Sequence, residues 1–133
     1  MSALNQGVKG GVMRVLMNHI YEYKKGVRRL VLYTFNQRYI NCAVERLEHQ
    51  GIEYIITPLG NDCVNLFFGR KECLDVIRLI VNRPLNQLSP EEDFMLGALL
   101  GYDISLQCER YLRNSARSLN GQRFSEQKYC HCS

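Results

Sequence analysis

The chain has 133 residues, 46% hydrophobic and 23% charged, which fits one globular domain with a single modest core and excludes a disordered chain. No apolar run approaches the roughly 20 residues that span a bilayer, and Lys9 to Val31 holds no uncharged stretch followed by a small-residue cleavage site, so a cytoplasmic location is expected. The net charge of +4 is wholly N-terminal: as far as Arg38, seven basic residues face Glu22 alone, and the remainder is nearly balanced.

Residues 1–11 lack periodicity and read as a disordered tail ahead of a single α+β domain over 12–114. Met13, Leu16, Met17, Ile20 and Tyr23 recur at helical spacing, and Gly26 stops that helix after Lys24 and Lys25. Leu30 to Phe35 is a β-branched and aromatic run that predicts a buried strand. Asn36 caps a helix with an apolar face of Tyr39, Ile40, Ala43, Val44 and Leu47, ended by Gly51. Ile52 to Thr57 predicts a second strand and Cys63 to Phe68 a third, joined as a hairpin at Leu59–Asp62.

Cys73, Leu74, Ile77, Ile80 and Val81 mark a third helix. Ser89-Pro90-Glu91-Glu92 is a capping-box sequence, with the proline at the first helical position. The helix it opens is expected to bury Phe94, Met95, Ala98 and Leu99. Asp103 caps a fifth helix, expected to bury Ile104, Cys108, Tyr111 and Leu112 and to fray by about Leu119. Residues 115–133 read as a polar C-terminal tail.

The element order gives a three-stranded sheet with about five helices, an incomplete ferredoxin-like fold on a split β-α-β core. Its first strand would keep one uncovered edge, a liability that a helix or a second subunit must manage. That edge, with the Met13, Leu16, Met17 and Ile20 helix face, predicts a homodimer.

Two stretches carry polar chemistry. Lys24, Lys25, Arg28 and Arg29 are the densest basic cluster and a candidate partner-binding surface, since local charge raises encounter rates with acidic partners. His19 and Glu22 stand at i, i+3, where a carboxylate raises an imidazole pKa and makes a candidate general base, with Tyr23 beside them. The same spacing fits a solvated helix face with one ion pair. Tyr21 and Tyr23 among the basic residues suggest nucleic acid, but a pI near 8.8 and strands without a basic stripe argue against it. Cys42, Cys73 and Cys108 fall on apolar stripes and read as small buried hydrophobes. Cys130-His131-Cys132 offers soft ligands but falls short of a four-ligand site, so neither metal nor cofactor is expected.

Asn18-His19-Ile20-Tyr21-Glu22-Tyr23-Lys24-Lys25-Gly26, Leu30-Val31-Leu32-Tyr33-Thr34, Pro90-Glu91-Glu92-Asp93-Phe94, Leu100-Gly101-Tyr102-Asp103 and Gln107-Cys108 carry a resemblance. From Met13 to Leu112 the chain resembles a small bacterial domain-of-unknown-function family of Bacteroidales and other anaerobes. The resemblance implies an α+β homodimer of three strands and five helices, encoded beside or fused to flavodoxins, and it carries over no catalytic residues. Three functions follow as expectations. The first is a non-enzymatic accessory protein for an acidic redox partner such as flavodoxin. The second is a small-ligand sensor dimer with the Leu59–Asp62 loop at its site, and the third an enzyme using His19 and Glu22.

Overall fold

The computed structural model describes residues 3–119. Five helices and three strands follow in order: α1 (Ala3–Lys24), β1 (Leu30–Asn36), α2 (Ile40–His49), β2 (Tyr54–Gly60), β3 (Cys63–Gly69), α3 (Lys71–Ile80), α4 (Pro90–Leu99) and α5 (Ile104–Leu119). The fold is α+β.

The strand order is β1-β3-β2, with β3 antiparallel to both neighbours. β1 and β2 are therefore parallel, joined through α2, with β3 inserted between them. This is the split β-α-β core. β1 lies at one edge of the sheet and β2 at the other.

Alternation along the strands sends side chains to two cores. Val31, Phe35, Val64, Leu66 and Phe68 meet Val12, Leu16 and Ile20 of α1 and Ala43 and Leu47 of α2. Leu30 and Phe67 meet Cys73, Leu74, Ile77 and Ile80 of α3 and Leu96 and Leu100 of α4. Helices thus cover both faces, unlike the one-sided layering common in α+β domains. A strand covered on both faces has no polar alternation to show. That accounts for the near-continuous apolar run of β3, which is buried throughout.

Turn chemistry sets the hairpin. Asn61 and Asp62 both adopt positive φ, 51° and 61°, the two-residue loop that matches strand twist. β2 starts and ends later than its apolar run suggested. Pro58 lies inside it rather than beyond it, tolerated because β2 is an edge strand, and a register shift follows between Pro58 and Gly60.

Two boundaries correct the sequence reading. Helix α1 begins at Ala3, so residues 3–11 are helical and not a disordered tail. Extending a helix already nucleated by packed residues costs little, even through glycines; a Cβ on Gly10 or Gly11 would meet nothing within 4 Å. Helix α5 reaches Leu119, the point by which fraying was expected, so the polar residues 115–119 belong to the helix and not to the tail. Cys130, His131 and Cys132 lie outside the described residues.

A third correction concerns assembly. Leu16 and Ile20 are 0% and 2% exposed inside one chain. They hold α1 on its own sheet and are not available to a second subunit.

Candidate interaction surfaces

The basic cluster forms a corner where α1 ends and β1 begins. Gly26 takes φ 79°, and the Gly26 and Val27 amides donate to the Tyr23 and Glu22 carbonyls at 3.0 and 2.9 Å. Lys24 donates to the Gln50 side chain, and Lys25 lies 5.5 Å from the Tyr21 ring centroid. Arg28 is paired with Glu22 at 2.8 Å. Lys24, Lys25 and Arg29 are exposed and Arg28 half-buried, with Tyr21 and Val27 exposed among them.

The fold adds two cations that linear sequence kept apart. The Arg70 amide donates to the Arg29 carbonyl at 3.0 Å, closing β3 against the start of β1. Arg70 and Lys71, exposed at the start of α3, therefore extend the corner. Only the β1–β3 register could have revealed this adjacency, because forty residues separate the two pairs.

His19, Glu22 and Tyr23 share one stretch of α1, but each is engaged by a different neighbour. The Glu22 carboxylate is taken by Arg28. His19 packs on Tyr33 with ring centroids 5.3 Å apart, and its Nδ1 is buried without a hydrogen-bond partner. Burial pushes the His19 pKa below its usual value; Arg28 adds to the drop and Glu22 only opposes it. The raised pKa expected from Glu22 is thus reversed. Tyr23 meets Phe68 edge-on at 6.2 Å, as part of the packing. Among the described residues, no three His, Cys, Asp or Glu cluster as metal ligands.

The largest departure from the sequence pattern lies in α4 and α5. Helix α5 turns Gln107, Arg110 and Asn114 inward and leaves Ile104, Cys108 and Leu112 exposed, against expectation. Its buried face is organised by α4. Arg110 Nε and an Nη donate to the two Asp93 oxygens at 2.7 and 3.1 Å, with both side chains 5% exposed. Gly97 lies one turn beyond Asp93, and a Cβ there would overlap the Gln107 side chain. Asp93 and Gly97 together make a notch in which the carboxylate takes the Arg110 guanidinium and the missing Cβ leaves room for Gln107. Burying Asp93 without its guanidinium would be costly, so the pair dictates which side of α5 faces in.

Helix α4 is rotated to suit. It buries Asp93, Leu96, Gly97 and Leu100, while Met95 and Ala98, expected inside, are exposed. Its start is as expected: the Ser89 hydroxyl accepts from the Glu92 amide at 3.1 Å, and Glu92 accepts from the Ser89 amide at 2.9 Å.

The displaced apolar residues gather outside. Phe94, Met95, Cys108, Tyr111 and Leu112 line a groove of about 430 Å³ between the two helices. The Phe94 and Tyr111 rings meet at 5.9 Å, and the Tyr111 hydroxyl donates to Glu91 at 3.2 Å on the rim. Ile104, one turn before Cys108 on the same side of α5, continues the exposed apolar surface. The sequence does carry a signal for this arrangement: Gln107, Arg110 and Asn114 form a polar stripe at i, i+3, i+7, facing a carboxylate set among apolar residues on α4.

Fold and surface define a class: a three-layer α+β domain whose distinctive features are an exposed apolar two-helix face and a basic corner. The chain belongs to the DUF2023 family, a protein of unknown function, whose family model matches residues 14–114. That span contains the basic corner and the buried Asp93–Arg110 pair. No curated protein matches the chain. No helix among the described residues is long and apolar enough to cross a membrane.

Proposed function

We propose that the chain is a non-enzymatic interaction module of the bacterial cytoplasm. It works as a homodimer joined through the outer face of α4 and α5. Its basic corner receives an acidic redox partner such as a flavodoxin. The observation that carries the reading is the inverted α5, with its apolar stripe outward and its polar stripe buried on Asp93.

Met95, Ile104 and Leu112 are 42%, 53% and 67% exposed. At roughly 100 Å² each they form a patch of about 300 Å², at the lower end of the range that marks interaction sites on monomers. With its polar rim the face approaches the ~800 Å² per partner of a standard interface. A second copy suits it because α5 carries Glu109 before Leu112 and Arg113 after it. Two such helices crossing antiparallel bring opposite charges together around one apolar centre.

At the other surface, Lys25 and Arg29, with Arg70 and Lys71, supply positive charge around exposed Tyr21 and Val27. Electron-transfer encounters use small, salt-sensitive interfaces of this kind. The test is calorimetric titration with a purified flavodoxin. Binding should weaken about tenfold or more between 50 and 300 mM salt, and by a similar factor in Arg29→Glu. Undetectable binding at low salt, or binding indifferent to both changes, would remove the partner reading.

A further inference from the structure

The sheet face under α3 and α4 is apolar along Leu30, Leu32, Ile55 and Phe67 and turns polar at one end. There Thr34, Asn65 and Thr57 stand in one row, because Asn65 pairs with Thr34 on one side and Thr57 on the other. Thr34 and Asn65 are 5% and 2% exposed. Thr34 Oγ1 donates to Asn65 Oδ1 at 2.6 Å, fixing the Asn65 amide. Their mutual hydrogen bond offsets the cost of burying them and fixes this polar end of the sheet. The connection between α3 and α4 passes over this end and encloses with it a cavity of about 510 Å³.

We infer that this cavity is a binding site for an uncharged, planar, hydrogen-bonding ligand, a nucleobase or its nucleoside. Its size lies within the range of small-molecule sites. Its polar lining is hydroxyl and carboxamide: Thr57 and Asn65 from the sheet, Asn82, Asn86 and Gln87 from the connection. A carboxamide presents a donor and an acceptor side by side, which matches one edge of a base. Asn86 is half-buried in this wall, with its Oδ1 turned away from the open space and without a hydrogen-bond partner within the protein. Pro58, Pro84 and Leu85 supply apolar wall between these groups. Arg83 is the one charged residue of the lining, and it is held by Glu92, the carboxylate that caps α4. That ion pair offsets the one positive charge of the lining, which favours an uncharged ligand over a phosphate. The cavity shares no residue with the α4–α5 outer face or the basic corner, so this inference does not rest on the docking reading.

The test is an NMR titration of the ¹⁵N-labelled full chain with adenosine, guanosine, cytidine, uridine and their 5′-monophosphates. At least one nucleoside should saturate with a Kd below about 1 mM and shift the Thr57, Asn65 and Asn86 signals. Its monophosphate should bind less than about threefold tighter. Asn86→Leu and Asn82→Leu should each weaken binding by about threefold or more, with an unchanged folded spectrum; Asn82 is exposed, so its variant keeps the test readable if Asn86→Leu unfolds. Four nucleosides without saturable shifts at about 5 mM would overturn the inference. So would shifts confined to other residues, a monophosphate preference of about threefold or more, or undiminished binding by a folded variant.

Discussion

Helices α3 and α5 carry apolar stripes of nearly the same spacing, and the fold uses them in opposite ways. On α3, Cys73, Leu74, Ile77 and Ile80 all face the sheet, and Arg78 points out to pair with Asp75 at 2.7 Å. On α5, Ile104, Cys108 and Leu112 face out, and Arg110 is buried. The difference comes from the surface each helix meets. α3 lies on Leu30 and Phe67, which reward apolar contact. α5 lies on a notch made by Asp93 and Gly97, where the buried carboxylate demands the Arg110 guanidinium and Gln107 packs against the glycine. Periodicity finds a helix and its apolar side; which side faces inward is decided by the neighbour.

The strongest way to break the contrast is to remove the polar anchor. Arg110→Ala strands the Asp93 carboxylate in a buried site and should cost about 3–5 kcal/mol in urea unfolding at fixed chain concentration. Leu74→Ala on α3 should cost a comparable 2–5 kcal/mol by cavity formation. An Arg110→Ala loss below about 1 kcal/mol would mean that α5 does not depend on its buried charge.

A smaller effect sharpens the point. Gly97→Ala places a methyl where Gln107 sits and should cost about 1–3 kcal/mol, although alanine favours helix. A stabilising Gly97→Ala would show that the notch is not packed as described.

The pH dependence of the α1–β1 layer is smaller again. His19 is held below its usual pKa, foremost by burial, so the unfolded chain binds the proton more readily. Its contribution to stability is present in full above the unfolded value near 6.5 and is lost as pH falls toward the lower folded value. Unfolding free energies measured from pH 7.5 to 5 should decline, and His19→Gln should flatten that part of the curve. An unchanged slope in the variant would assign it to other groups.

Local signals were readable where local chemistry decides the outcome. The Ser89–Glu92 capping box, the Asn36 cap, the Asn61-Asp62 turn and the apolar runs of β1 and β3 need only neighbouring residues, and each stands where the sequence indicates, whereas β2 is shifted toward the turn. Asn36 accepts from the Arg38 amide at 3.0 Å and opens a short 3-10 turn over Gln37–Tyr39 that leads into α2. The split β-α-β order was equally readable, because connection lengths leave few alternatives. What could not be read depended on contacts between distant segments. The inverted α5 required knowing that Asp93 and Arg110 meet across 17 positions. The enlarged basic corner required the β1–β3 register. The His19–Glu22 pair was readable as spacing, but Arg28, placed by the turn at Gly26, claims the carboxylate first.

Two exposed leucines bring the contrast to one measurement. Leu79 on α3 is 76% exposed and Leu112 on α5 is 67% exposed. Leu79 stands apart from the groove, whereas Leu112 helps to line it. Single exposed leucines are ordinary, and only contiguous apolar surface implies a partner. Sedimentation equilibrium at low micromolar concentration should give twice the chain mass of 15.5 kDa for the natural chain and for Leu79→Glu, and 15.5 kDa for Leu112→Glu. A mass of 15.5 kDa for all three chains, or a dimer that survives Leu112→Glu, would contradict assembly through the outer face of α4 and α5.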